Sequence, residues 1–190
     1  MSITSHQADP ARALLQIVRP LYAEIYAEPP YCEGATEVDD VVSGWPATVD
    51  QPGFRLTLAH VDDEPAGFAF GFRLHPDTDW WRGLLDPLPA EEVREDGQRT
   101  FVVIELAVRT PYRRQGIGRA LHETLLAHRP EKRVALLVRP EADPANAAYA
   151  VWGYRPLGRL RPFENAPLYV AMTRRLPLAA PSTTDRPDAS

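Results

Sequence analysis

FVVIELAVRTPYRRQGIGRALHETLL, residues 101–126, is the stretch from which the rest of the chain is read. Its first part, 101–108, is rich in β-branched residues and carries one carboxylate, Glu105, the composition of a buried central strand. Thr110-Pro111 ends the run. From Gly116 onward Ile117, Ala120, Leu121, Leu125 and Leu126 recur at helical spacing, with polar Arg119, His122, Glu123 and Thr124 between them, so a helix is expected to begin near Gly116. The first N–H groups of such a helix have no partners within it and sit at the positive end of its dipole, while Gly116 and Gly118 leave room for a ligand. Arg113, Arg114 and Arg119 add charge-assisted donors, and together these features suit a pyrophosphate. The bland alternative is an ordinary turn with a solvated basic patch. Other phosphate motifs are excluded by residue. No Gly-Lys-Ser or Gly-Lys-Thr follows a glycine-rich loop, and Gly116-Ile117-Gly118-Arg119-Ala120-Leu121 lacks the third glycine of a dinucleotide fingerprint.

Arg113-Arg114-Gln115-Gly116-Ile117-Gly118 resembles the Q/R-x-x-G-x-G/A signature of the GNAT superfamily of N-acetyltransferases, and the preceding Leu106-Ala107-Val108 and Pro111-Tyr112-Arg113 are similar to that family too. The resemblance implies acetyl-CoA, or another short acyl-CoA, as co-substrate. It also implies main-chain contacts from Leu106, Ala107 and Val108 to the pantetheine arm, and from Arg114, Gln115, Gly116, Ile117, Gly118, Arg119 and Ala120 to the pyrophosphate.

Composition sets outer bounds. At 190 residues, 44% hydrophobic and 25% charged, one globular domain over 1–176 is expected, followed by a Pro-, Ala-, Ser- and Thr-rich tail, 177–190, expected to be disordered. The formal charge of −5 gives no general nucleic-acid footprint and suits a cationic acceptor. A single cysteine, Cys32, permits no intrachain disulfide, and the five histidines have no ligand spacing, so no metal is expected. No signal peptide or membrane span is evident, which points to a cytoplasmic protein, monomer or homodimer, without membrane partners.

Upstream, residues 10–27 carry an apolar helical face with Asp9 as N-cap and Pro10 at the first position, and Pro20 is expected to kink or break it. A second helix is expected over 36–44. The connection between them, holding Tyr26, Tyr31 and Glu33, borders the acceptor site if the family pattern holds; otherwise it is surface loop. Residues 54–61 and 65–74 read as a β-hairpin about Asp62-Asp63-Glu64, with Phe68, Phe70 and Phe72 on one core-facing side. The long connection 75–99, with Trp80-Trp81, reads as a partly helical flap over the acceptor, or one packed on the sheet or an oligomer contact.

Downstream, 133–139 is a buried strand, a helix begins near Asp143-Pro144 and runs to Trp152, and 154–161 pairs with 168–174. The sum is an α/β fold: a mixed, mostly antiparallel sheet, splayed at the cofactor strand, with helices on both faces. A first strand, usual in the family, falls to the weakly patterned residues 1–7.

Two side chains are candidates for chemistry. Tyr149-Ala-Val-Trp-Gly153-Tyr154 resembles the family's Y-x-x-x-G-F/Y ending, whose tyrosine protonates the departing thiolate; the alternative is a core aromatic. Ala142 stands where the family often has asparagine, and Asn146 is close enough in sequence to serve pantetheine instead. Glu105 is the candidate base, but strand parity groups it with Ala107 and Val103, whereas family bases often match Val102 or Ile104. A bulge at the splay would turn it inward; without one it is a carboxylate at the sheet surface. The acceptor is expected to be a small-molecule amine, with a peptide amine or a non-catalytic acyl-CoA-binding module as alternatives, and Tyr31, Glu33, Trp80 and Trp81 as candidate contacts.

Overall fold

A computed structural model describes residues 1–177. Seven strands, β1 (Ser2–His6), β2 (Arg55–Val61), β3 (Glu64–Arg73), β4 (Thr100–Val108), β5 (Arg133–Val138), β6 (Arg155–Leu160) and β7 (Tyr169–Arg175), form one sheet in the order β1-β2-β3-β4-β5-β7-β6. Every neighbouring pair is antiparallel except β4 and β5. The expected tail lies outside the described residues, apart from Pro177.

Among the described residues there are six α-helices, α1 (Ala8–Ala13), α2 (Leu15–Tyr26), α3 (Ala35–Val49), α4 (Ala90–Val93), α5 (Ile117–Leu126) and α6 (Asp143–Val151), and a 3-10 turn over Thr110–Tyr112. Among the described residues three buried clusters result, the smallest formed by Leu74, Trp81, Val102, Ala135 and Ala171. Val18, Leu21, Tyr22 and Ile25 of α2 and Val38, Trp45 and Val49 of α3 pack with Leu56, Phe68 and Phe70 of the hairpin. On the opposite face Ile117, Leu121 and Leu125 of α5 and Tyr149 of α6 pack with Phe101, Val103, Val134 and Leu136.

Several boundaries differ from expectation for identifiable reasons. The first helical stretch divides at Leu14, and Pro20 lies inside α2; Pro20 is exposed, so the carbonyl it leaves without a donor faces water. The first cap is Gln7 rather than Asp9. α3 runs on to Val49 because Trp45 and Val49 continue the buried stripe begun by Val38, and the Glu37 carboxylate accepts the Gly34 N–H at 2.8 Å. Residues 2–6 do form a strand, held by the β2 ladder rather than by apolar alternation, and its polar composition suits an exposed edge. The hairpin turns through Asp62 and Asp63, both with positive φ, a conformation aspartate tolerates.

The decisive irregularity lies between β3 and β4. Gly71 pairs with Val103 but Phe70 pairs with Glu105, so Ile104 is an extra residue, a β-bulge. Glycine is required opposite it, since a Cβ on Gly71 would lie 2.0 Å from the Val102 carbonyl oxygen. The bulge changes the parity of β4. Phe101 and Val103 face the α5 core, whereas Ala107 packs in the α2–α3 core and Glu105 meets Tyr26 of α2. On the other side, β4 and β5 pair only through Thr100–Val103 and Arg133–Leu136; beyond that point the parallel strands diverge.

Candidate active site

A groove of about 860 Å³ opens where β4 and β5 part, bounded by Leu106 and Val108, by the turn after β4, and by Pro144, Ala148 and Trp152 of the α6 side. Arg109 donates its N–H to the Ala66 carbonyl, so alternation along β4 turns the main-chain groups of Leu106 and Val108 toward the gap. The turn itself is bent by two left-handed residues, Arg114 (φ 60°) and Gly116 (φ 84°). At Gly116 a Cβ would meet nothing within 4 Å, so glycine is needed there for its backbone, not for space. Among the described residues no protein acceptor is found for the amides of residues 114–119; the first α5-side bond is Ala120 N–H to the Gly116 carbonyl, 3.0 Å. That row of free amides at the end of a ten-residue helix is suited to the pyrophosphate of an acyl-CoA.

Not every candidate for this groove has the expected part. Arg114 and Arg119 line it. Arg113 lines it too, but its guanidinium donates to the Val108 carbonyl (2.8 Å) and pairs with Glu28 (2.8 Å), which also accepts from Thr110 (2.5 Å). Arg113 therefore ties the end of β4 to the connection after α2. Ile117 is buried in the core, and neither Gln115 nor Ala120 lines the groove: the Gln115 side chain donates to the Pro111 carbonyl (3.0 Å), and the Ala120 N–H is already given to the Gly116 carbonyl. Asn146 is committed elsewhere: its amide nitrogen donates to the carbonyls of Arg139, Pro140 and Ala142, holding the β5–α6 connection, and it does not line the groove.

A second cavity, about 260 Å³, lies on the far side of the splay and shares Leu106, Ala145 and Tyr149 with the first. Tyr149 thus stands at the junction. It is buried, with its ring edge-on to Trp152 (5.6 Å) and Tyr154 (5.5 Å), and burial together with the nearby Tyr31 and Glu105 raises its pKa, so the hydroxyl keeps its proton at neutral pH.

Glu105 lines this second cavity and accepts a hydrogen bond from Tyr26. Burial pushes its carboxyl up to about 8; the Tyr26 hydrogen bond opposes this and the charge of Glu33 adds to it. Glu33 also lines the cavity, accepting from the Tyr22 hydroxyl at 2.5 Å and facing Arg139 at 3.8 Å. Tyr31 forms the wall beneath the Arg139 guanidinium, 5.2 Å from its ring centre. Of the two tryptophans only Trp80 reaches the cavity. Trp81 instead packs with Leu74, Val102 and Ala135 and donates its indole N–H to Glu95 at 2.9 Å. The connection carrying them is fastened to β6 by the Leu84–Leu160 bridge and the Asp86–Arg159 ion pair, with Glu95 paired to Arg133, so most of it covers the sheet. Phe163 and Tyr169, from the β6–β7 connection and the start of β7, complete the mouth, and nothing in their local sequence marks them for it.

Chemically, Tyr149 at the junction can donate a proton, and Glu105 in the second cavity can accept one when it is ionised. Among the described residues no cluster of histidine, cysteine, aspartate and glutamate suited to a metal is found, and no helix is long and apolar enough to cross a membrane.

The model of the GNAT acetyltransferase family matches residues 18–154, and the chain belongs to that family. It is an acetyltransferase of the GNAT type, using an acyl-CoA as donor. No curated protein matches it in sequence. Among solved structures it is similar to an aminoglycoside 6'-acetyltransferase type Ii (TM-score 0.62, 18% identity, 93% of this chain and 99% of that one). It is similar also to the ribosomal-protein-S18-alanine N-acetyltransferase from Escherichia coli (0.60, 18%, 95% and 98%) and to the PaiA N-acetyltransferase from Thermoplasma acidophilum in complex with coenzyme A (0.56, 12%, 93% and 100%). At these identities the likeness is one of fold.

Proposed function

We propose that this enzyme moves an acetyl group from acetyl-CoA to a primary amine on a small molecule, by direct attack. The observation that carries the reading is the junction of the two cavities at Tyr149, with Glu105 on the acceptor side. A cavity of about 260 Å³ with Trp80 and Phe163 in its lining fits a compact acceptor better than an extended chain. Of its charged lining Glu33 faces Arg139, and Glu105 once ionised adds the one net negative charge, which suits a cationic acceptor.

The proton balance follows from these groups. A lysine-like ammonium has a pKa of about 10.4 and must lose a proton before it attacks, and Glu105 is placed to take it. Nitrogen then bonds to the thioester carbon, while the Val108 N–H supports the developing oxyanion. As the carbon–sulfur bond breaks, the carbonyl re-forms, nitrogen sheds its second proton to solvent and Tyr149 donates one to the departing sulfur; solvent then reprotonates Tyr149 and takes the proton from Glu105.

The test is product detection by mass spectrometry after incubation with acetyl-CoA and a panel of small amines, with a peptide bearing a free N-terminus alongside. Acetylated small amine with matching thiol release is the expected result. Acetylation of the peptide alone would move the acceptor to polypeptides, and saturable acetyl-CoA binding without transfer to any amine would leave a binding module.

A further inference from the structure

Glu105 is useful as a base only if its carboxylate is held toward the acceptor, and the α2 helix ends in a device able to do that. Tyr26, the last residue of α2, is 8% exposed and donates its hydroxyl proton to Oε2 of Glu105. Its ring is fixed from two sides. Tyr22, one turn earlier, stacks on it at 4.3 Å, and Tyr31 meets it edge-on at 4.9 Å. Among the described residues no other side chain bonds to Glu105, so Oε1 stays open to the cavity. Tyr22 is engaged with the other carboxylate, Glu33, and so does not compete for Glu105.

We propose that Tyr26 is a positioning residue for acyl transfer, fixing Glu105 through Oε2 so that Oε1 faces the incoming amine. The proposal rests on the reading of Glu105 as the base. The groups facing Glu105 are Tyr22 and Tyr26 from α2, Tyr31 and Glu33 from the following connection, Tyr149 from α6, and Arg139 and Tyr169 across the cavity. Among the described residues only Tyr26 donates a side-chain hydrogen bond to it. A donor to a carboxylate favours the charged form and so opposes the effect of burial and of the Glu33 charge.

Tyr26→Phe removes one oxygen and keeps both ring contacts. Against the wild type, the rising limb of kcat/KM with pH is expected to move upward by about 1 to 2 pH units, the size of a hydrogen bond to a charged group, and the high-pH plateau to fall as the released carboxylate loses its orientation. A rate loss with the limb unmoved would reduce Tyr26 to a packing residue and overturn the proposal. The carboxyl carbon of Glu105, assigned by its loss in Glu105→Gln and titrated by carbon-13 NMR, reads the same shift without turnover. An unmoved titration in Tyr26→Phe overturns the proposal; an upward shift supports it. Full activity in Glu105→Gln would instead remove the base reading beneath it, a failure distinct from either.

Discussion

Phe70 of β3 lies opposite Glu105 of β4 while its neighbour Gly71 lies opposite Val103, and that one-residue slip carries Glu105 to the face of the sheet where it meets Tyr26 and lines the second cavity. Without the slip Glu105 would share the face of Val103 and point into the α5 core. The slip depends on Gly71, where any side chain would collide with the Val102 carbonyl. Gly71→Ala is therefore expected to destabilise the fold by about 1–3 kcal/mol or more, the range for overpacking, and to depress turnover in the fraction that folds. Urea denaturation and steady-state rates check this; a variant with unchanged midpoint and rate would show that the bulge tolerates a Cβ.

Tyr149→Phe is expected to lower kcat by about 10- to 1000-fold with little change in acetyl-CoA affinity, because the lost proton donor acts mainly in the transition state. Equilibrium binding of acetyl-CoA measured beside turnover separates the two effects. An equal loss of affinity would make Tyr149 a wall of the groove.

Gly116→Val is expected to weaken acetyl-CoA binding by about 5- to 30-fold, from the roughly 1–2 kcal/mol needed to hold a side-chain-bearing residue in a left-handed conformation. The surrounding space is open, so the loss would come from tilting the amide row and not from a clash. Calorimetric titration with acetyl-CoA is the measurement, and unchanged affinity would detach the turn from the cofactor.

Glu105 also makes a stability prediction. Its folded-state pKa of about 8 exceeds its ordinary 4.5, so between those values the folded protein binds a proton that the unfolded chain has released. That contribution is fully present below about 4.5 and is lost as the pH rises through 8. Glu105→Gln cannot ionise. Its stability relative to the wild type is thus expected to increase from pH 5 to pH 8, as read by denaturation midpoints at several pH values; a constant difference would place Glu105 in a wetter site.

The order of elements, the hairpin, the glycine turn before α5 and the helix that carries Tyr149 were legible because each has a local cause: alternation, helical spacing or a glycine where the chain bends. β1 lacked such a cause, since a polar edge strand is held by its neighbour. Strand parity alone paired Glu105 with Val103, because a bulge arises from contact between two strands distant in sequence. Trp80 and Trp81 were inseparable in sequence, yet one lines the second cavity and the other is buried against Glu95 and Arg133. Arg113 was read by its charge, whereas Glu28 and the Val108 carbonyl, brought near only by folding, engage it. Phe163 and Tyr169 reach the cavity through the sheet order β5-β7-β6, a long-range fact.

The central claim is that Glu105, turned inward by the bulge, takes the proton of the acceptor amine. The most direct measurement is the pH dependence of amine-dependent thiol release from acetyl-CoA by the wild type and Glu105→Gln. Release by the wild type is predicted to rise with pH through a midpoint near 8 or below it, since a bound cation favours the carboxylate, and the variant is predicted to lose that limb. Superimposable profiles at equal rates would contradict it.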